Sequence, residues 1–274
     1  FSAYEVKVCS QMNISAVIHN TQQIDFINQI KPKNPINIHL KINTGMNRLG
    51  FPSSTVKSLI QSLEKSPYIG NIILMTHFAN ADEAIGVRDQ LALFNKVVDD
   101  SFDRSVANSA AIIRYPETHM EWVRPGIMLY GASPFEDQSS QDIGLQPVMS
   151  LHSNIIAVQN LDKGQSVGYG STFVATNKTR VGIVACGYAD GYPRHAPSGT
   201  PIMVAGKISR TLGRVSMDML YVDLTDIPSA DIHSEVELWG ANISVDEVAK
   251  QAKTVGYELL CAISSSIRVP MEYA

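Results

Sequence analysis

The chain has 274 residues, 45% of them apolar, and a mean hydropathy close to zero, the balance of a globular protein that buries a full core; disorder and membrane spanning are disfavoured. With 22 Lys and Arg against 26 Asp and Glu the net charge is -4 and no basic run occurs, so nothing resembles a footprint for nucleic acid. Cys9, Cys186 and Cys261 lie far apart, with neither metal-ligand nor disulfide spacing, and no stretch approaches the ~18 apolar residues of a membrane span or follows a charged leader; a cytoplasmic protein without a structural metal is expected.

Short apolar runs at 15–19, 36–42, 71–77 and 127–130 read as buried strands, with a weaker candidate at 105–108. Amphipathic segments lie between them: 22–30 after Thr21, 56–63 after Ser53 and Ser54, and 83–102 after Asp82. Strand and helix alternate, which predicts a parallel sheet. A complete eightfold barrel takes about 31 residues per βα unit, so residues 1–136 hold only four or five units: either the sheet is open or some three units precede it. The opening residue Phe1, with no methionine, agrees with a chain that has lost something upstream.

After Pro134 and Phe135 the texture changes. A polar connector at 136–144 leads to strand candidates at 148–158, 180–186, 200–204, 220–224 and 236–238, punctuated by Asp-Lys-Gly, Pro-Ser-Gly-Thr and Ala-Gly-Lys turns. Residues 137–274 are therefore expected to form a second, mainly β domain, with one helix starting at Ser244 and a capping box completed by Glu247.

Polar groups recur at the ends of the predicted barrel strands. Lys41 and Arg48 flank a glycine-containing loop, His77 follows the next strand, Ser109 opens a helix whose N–H groups favour an anion, and Arg124 precedes Pro125 and Gly126. One anionic site, with phosphate as its natural occupant, explains them better than separate accidents. The β region adds Tyr188 in a turn with Asp190 and Arg194, a second dense segment around Met217, and Tyr257, for which core packing is the simplest reading of that residue alone. A tyrosine works as a base only if a cation lowers its affinity for its proton.

Together the segments KINTGMNRLGF (41–51), THFANAD (76–82), ANSAA (107–111), VRPGIMLYG (123–131), GYADGYPR (187–194), GRVSMDM (213–219) and GYELLC (256–261) resemble the alanine racemases, from about Val17 to Tyr273. The resemblance implies a pyridoxal 5′-phosphate enzyme built from a partial (β/α)8 TIM-like barrel and a mainly β C-terminal domain, working as a homodimer with shared sites and interconverting L- and D-alanine for peptidoglycan synthesis or alanine breakdown. It implies that Arg124 faces the pyridine nitrogen, and that Ser109, the backbone of Gly126 and Ile127, and Tyr257 hold the phosphate. Arg48 and the Met217 N–H would receive the substrate carboxylate, with Lys41, in the family sometimes a carbamate, bracing Arg48. Tyr188 would be one base, with His77 beside it and Arg124 behind.

The other base, the family's Schiff-base lysine, belongs to a lysine-alanine-asparagine-alanine-tyrosine-glycine segment that this sequence does not contain. A racemase lacking its first strands, with a separate N-terminal piece as partner, is the corresponding expectation. Asn43 stands where many members carry aspartate. Two other readings use related folds: a non-catalytic pyridoxal phosphate-binding barrel, which lacks the second domain, and an amino-acid decarboxylase, which would need a cysteine and aspartate site in place of Tyr188.

Overall fold

The computed structural model describes residues 1–263; the last stretch of the resemblance, 264–273, lies outside the described residues. The chain divides into two compact units, Phe1–Gly126 and Ile127–Ala274.

The first unit runs α1 (Ala3–Met12), β1 (Ala16–Ile18), α2 (Thr21–Ile30), β2 (Ile36–Asn43), β3 (Phe51–Pro52), α3 (Val56–Leu63), β4 (Ile69–Met75), α4 (Arg88–Val97), β5 (Arg104–Ser105) and α5 (Ser109–Arg114). Its strands pair in parallel in the order β1-β2-β4-β5, with β3 beside the end of β2. Chain order without a reversal is how a barrel winds, whereas a doubly wound sheet reverses at a switch point. Among the described residues the sheet is open, with β1 and β5 at its edges. In β2 the side chains of Ile36, Ile38, Leu40 and Ile42 are all buried on one face. Asn37, His39, Lys41 and Asn43 alternate with them, and so share the opposite face.

Three expectations for the first unit change. A helix absent from the sequence reading, α1, opens the chain, with the Ser2 N–H and hydroxyl both donating to the Glu5 carboxylate. The segment after Asp82 is a series of turns up to Gly86, whose φ of +68° stops a helix, so α4 begins only at Arg88. It ends at Val97, because Val98 is extended.

The second unit opens on a 3-10 turn, Ile127–Tyr130, where the apolar run suggested a strand. A short apolar run does not distinguish strand from helix by period. Here Gly131, with φ +75° and Gln146 O where a Cβ would stand, turns the chain at once. Then follow β6 (Leu151–Leu161), β7 (Ser166–Val167), β8 (Phe173–Val174), β9 (Thr179–Val184), β10 (Pro201–Val204), β11 (Lys207–Leu212), β12 (Leu220–Asp223), β13 (Glu235–Trp239), α6 (Val245–Gln251) and α7 (Gly256–Ala262). Six strands close an antiparallel barrel, β10-β11-β12-β9-β6-β13, around Ile155, Val184, Val204, Val222, Val236 and Trp239. Closure removes the edges an open sheet would present. Strand β11 went unread because its first residues, Lys207 to Arg210, leave little apolar signal; its hairpin with β10 turns on Ala205 and Gly206, both at positive φ as a two-residue turn requires. Ser244 caps α6 by accepting from the Asp246 N–H.

Candidate active site

The strand ends of the first unit are stitched together by backbone and side-chain hydrogen bonds. After β2, Asn43 Oδ1 accepts from the N–H groups of Gly45 and Asn47, at 3.1 Å each, and its Nδ2 donates to Asn47 Oδ1 at 2.9 Å, a bond aspartate could not supply. The loop then folds back on the strand. Gly50, at φ +122°, lies where a Cβ would stand 2.8 Å from Asn43 N and 3.0 Å from Lys41 O, so only glycine fits. Arg48 is exposed and has no hydrogen-bond or ion-pair partner among the described residues, so its guanidinium is available to a ligand.

Arg124 is the centre of the arrangement. Its Nη1 donates to Ser105 O (2.6 Å) and Ser105 Oγ (2.7 Å); its Nη2 donates to Thr76 O (2.7 Å), with longer contacts to Val106 O and His77 Nδ1, both at 3.4 Å. The guanidinium thus spans the ends of β4 and β5, and its Nε, still a donor, meets no acceptor among the described residues. Burial brings Arg124 down to about 10, which leaves it charged at neutral pH.

Because a guanidinium only donates, His77 Nδ1 must be the acceptor, and its proton sits on Nε2. Burial first, then Arg124, Lys41 and Arg48, hold His77 down at about 4, so the ring is neutral and offers one N–H. Burial, then the charges of Arg124 and Arg48, lower Lys41 to about 8. Three basic side chains thus surround a neutral histidine, an environment made for a negatively charged ligand.

Ser109, 2% exposed, accepts the Gly126 N–H on its Oγ at 2.7 Å. Its own hydrogen remains to be donated. Asn108 caps α5 by accepting from the Ala111 N–H and ties it to the β4 end by donating to Phe78 O. In the second unit, the Ile127 N–H donates to Tyr257 Oη at 3.3 Å, and that hydroxyl likewise keeps its hydrogen. Each hydroxyl, within its own unit, already accepts from a backbone amide and is left to donate to an anion's oxygen; in the first unit the buried Ser109 and the free Nε of Arg124, a donor suited to an unprotonated ring nitrogen, fit pyridoxal phosphate.

Tyr188 opens a 3-10 turn after β9, 42% exposed, with the Arg194 guanidinium 5.9 Å from its ring centroid. That turn is sewn to the segment around Met217: the Tyr188 N–H donates to Ser216 O at 3.1 Å and the Ala189 N–H to Met217 O at 2.9 Å. Gly187 permits the approach, since a Cβ there would stand 2.4 Å from both carbonyl oxygens. The Met217 N–H meets no acceptor among the described residues.

The structure therefore gathers Lys41, Arg48, His77, Ser109, Gly126 and Arg124 on the strand ends of one unit, and Tyr188 and Met217 on one tight structure in the other. Sequence reasoning passed over Thr44, Thr76, Gln90 and Ser105, buried polar residues that hold these groups. The signal for Gln90 was legible: it lies four residues before Phe94 on the inward face of α4, where an apolar residue is expected.

An open parallel βα sheet with polar strand ends, followed by a closed antiparallel barrel, defines a two-domain enzyme of the barrel type. The family model described as "Alanine racemase, N-terminal domain" matches residues 1–134 and "Alanine racemase, C-terminal domain" residues 148–273, and the chain belongs to this family. It is 50% identical to an alanine racemase of Thiobacillus denitrificans over 99% of this chain and 74% of that protein. It is 48% identical to a catabolic alanine racemase of Klebsiella aerogenes over 99% of this chain and 76% of that one. Among solved structures, the biosynthetic alanine racemase of Pseudomonas aeruginosa superposes with a TM-score of 0.96 at 44% identity, covering all of this chain and 77% of its own. The alanine racemase of Acinetobacter baumannii gives 0.90 at 40% identity, over 97% and 76%.

Proposed function

We propose that this chain carries most of the site of a pyridoxal phosphate-dependent alanine racemase, working as a cytoplasmic homodimer. The observation that supports it most is the Arg124 centre: a half-buried guanidinium with one unspent donor, flanked by a neutral histidine of defined tautomer and by Lys41 and Arg48. Pyridoxal phosphate, when bound, supplies the electron sink that makes the α-hydrogen of alanine acidic.

The residues divide the remaining work. Ser109 and Tyr257, whose hydroxyls accept from the Gly126 and Ile127 N–H groups and keep their own hydrogens, would hold the phosphate together with that stretch of backbone. Arg124 presents Nε to the ring nitrogen; because arginine does not give up its proton, that nitrogen stays unprotonated, which limits side reactions. Arg48 and the Met217 N–H take the substrate carboxylate, and Lys41, once converted to a carbamate, braces Arg48. Tyr188 of one subunit serves the site of the other, where the Nε2–H of His77 donates to its phenolate oxygen and the charge of Arg124 lies behind the imidazole.

Racemisation removes a proton from one face of a planar carbon and returns one to the other, so Tyr188 needs an opposed base. That base is a lysine that no segment of this sequence supplies. The two relatives named as biosynthetic and catabolic match the chain almost equally well, so D-alanine supply for peptidoglycan and alanine breakdown both suit the site.

The test is Tyr188→Phe in the intact dimer, assayed in deuterated water. Loss of racemisation, with solvent deuterium still entering one enantiomer of alanine but not the other, is expected. Interconversion at the wild-type rate in both directions would sink the assignment.

A further inference from the structure

Gln90 sits on α4, 8% exposed, with its amide turned into the first unit and both its hydrogens and its oxygen engaged. Its Oε1 accepts the Ala79 N–H at 2.7 Å, and its Nε2 donates to His77 O at 3.1 Å and to Thr44 Oγ1 at 3.1 Å. Thr44 Oγ1 lies 2.7 Å from Thr76 Oγ1, and Thr76 Oγ1 donates to Ile42 O at 2.9 Å.

A hydroxyl has one hydrogen, so the direction of the chain is fixed. Thr76 spends its hydrogen on Ile42 O, Thr44 must spend its own on Thr76, and Thr44 can then only accept from Gln90. One amide side chain thus ties the loop after β2, which carries Arg48, to the backbone on both sides of Phe78, beside His77. The carbonyl of Thr76, in turn, takes Arg124 Nη2. Thr44 and Thr76 are themselves buried, so no water competes for these bonds.

We propose that Gln90 is a positioning residue for the reaction: it sets the register between the loop bearing Arg48 and the strand end bearing His77, without touching substrate or cofactor. The inference rests on the function proposed above for those two residues. It requires that perturbing the amide displaces both, so that substrate binding and turnover fall together although the fold survives.

The test uses the holoenzyme with Gln90→Met, which keeps length and apolar bulk but no hydrogen bonds, and Gln90→Glu, which keeps the acceptor for Ala79 but turns an anionic oxygen toward His77 O. Gln23→Met is the control: Gln23 is 3% exposed on α2, caps His19 N at 2.8 Å and has no part in the site. Both Gln90 variants should raise KM for alanine and lower kcat, with kcat/KM down by about tenfold to a hundredfold, the size a displacement on the order of 1 Å produces. Both should speed amide exchange at Ala79 and move the His77 Nε2–H resonance. Gln23→Met should lower Tm alone.

A Gln90→Met enzyme with kcat/KM within twofold of wild type, or a loss matched by Gln23→Met, overturns the proposal. If Gln90→Met does not fold, Gln90→Glu is judged by the same criteria. A wild-type holoenzyme without racemase activity would remove the proposed function instead, and the Ala79 exchange and His77 resonance would still decide whether Gln90 locks the two strand ends.

Discussion

Lys41→Met should make the protein more stable while making it a worse catalyst. Lys41 as a residue is 9% exposed, and its ammonium has no hydrogen-bond or ion-pair partner among the described residues; burial, then Arg124 and Arg48, bring it from 10.5 to about 8. At about 1.4 kcal/mol per tenfold change in proton affinity that drop is a cost of about 3 kcal/mol, and solvent screening at the mouth of the strand ends reduces it to about 1–2 kcal/mol. Below pH 8 both folded and unfolded chains hold the proton and the whole cost is present. Between about 8 and 10.5 the unfolded chain holds a proton that the folded one has shed, so stability climbs with pH; above that range the cost has gone.

Urea unfolding in carbon dioxide-free buffer should therefore find Lys41→Met more stable than wild type by about 1–2 kcal/mol at pH 7, with the gap closing by about pH 10. Bicarbonate should narrow the gap from the other side. The neutral amine attacks carbon dioxide, a nitrogen–carbon bond forms, a proton leaves, and a cation repelled by two arginines becomes an anion attracted to both. A variant less stable than wild type at pH 7, or a gap unchanged from pH 7 to 10, would refute this account of Lys41.

Gly187→Ala places a methyl 2.4 Å from two carbonyl oxygens, so the Tyr188 turn and the Met217 segment must separate; a loss of about 1–3 kcal/mol in thermal unfolding and a larger fractional loss of kcat/KM are expected. Tyr257→Phe removes the acceptor of the Ile127 N–H and should weaken pyridoxal phosphate binding to the apoenzyme by about fivefold, measured by absorbance titration. Arg194→Gln removes the cation 5.9 Å from the Tyr188 ring centroid and should lower kcat by about two- to fivefold with KM held, since only the developing phenolate feels the loss. His77, at about 4 when folded against 6.5 when exposed, contributes stability that is gained as pH rises from 4 to 6.5, so the acid unfolding of His77→Gln should be shallower across that interval.

The strand ends were legible because a parallel βα sheet confines its chemistry to them, and a histidine, a serine and three basic residues at successive ends are hard to place otherwise. The boundaries of α4 were not, because Asp82, a good helix opener, is followed by a turn at Gly86, whose positive φ favours glycine and where any Cβ would run into Tyr115 Oη, 29 residues away in sequence. The strand expected at 127–130 failed for a similar reason: its fate is decided at Gly131 by the backbone of Gln146. Barrel closure in the second unit was equally hidden, since which strands pair at long range is set by packing around Trp239 and Ile155 and not by any local pattern.

What the sequence could least reveal is the charge state of the site. Its motif residues are nominally three cations and a titratable histidine, which would suggest a strongly basic surface. Burial and mutual repulsion change that inventory: Arg124 stays charged, His77 is held neutral, and Lys41 is brought to the edge of neutrality. The arrangement thus sorts like residues into different roles, a fixed cation, a neutral donor and a reactive amine, through which of them Arg124 faces and how deeply each is set. A single change at Arg124 should therefore be felt at both other positions: with Arg124→Met, both His77 and Lys41 should titrate upward by NMR, and a shift confined to either one would show that burial and the remaining charges, and not this guanidinium, had set the other.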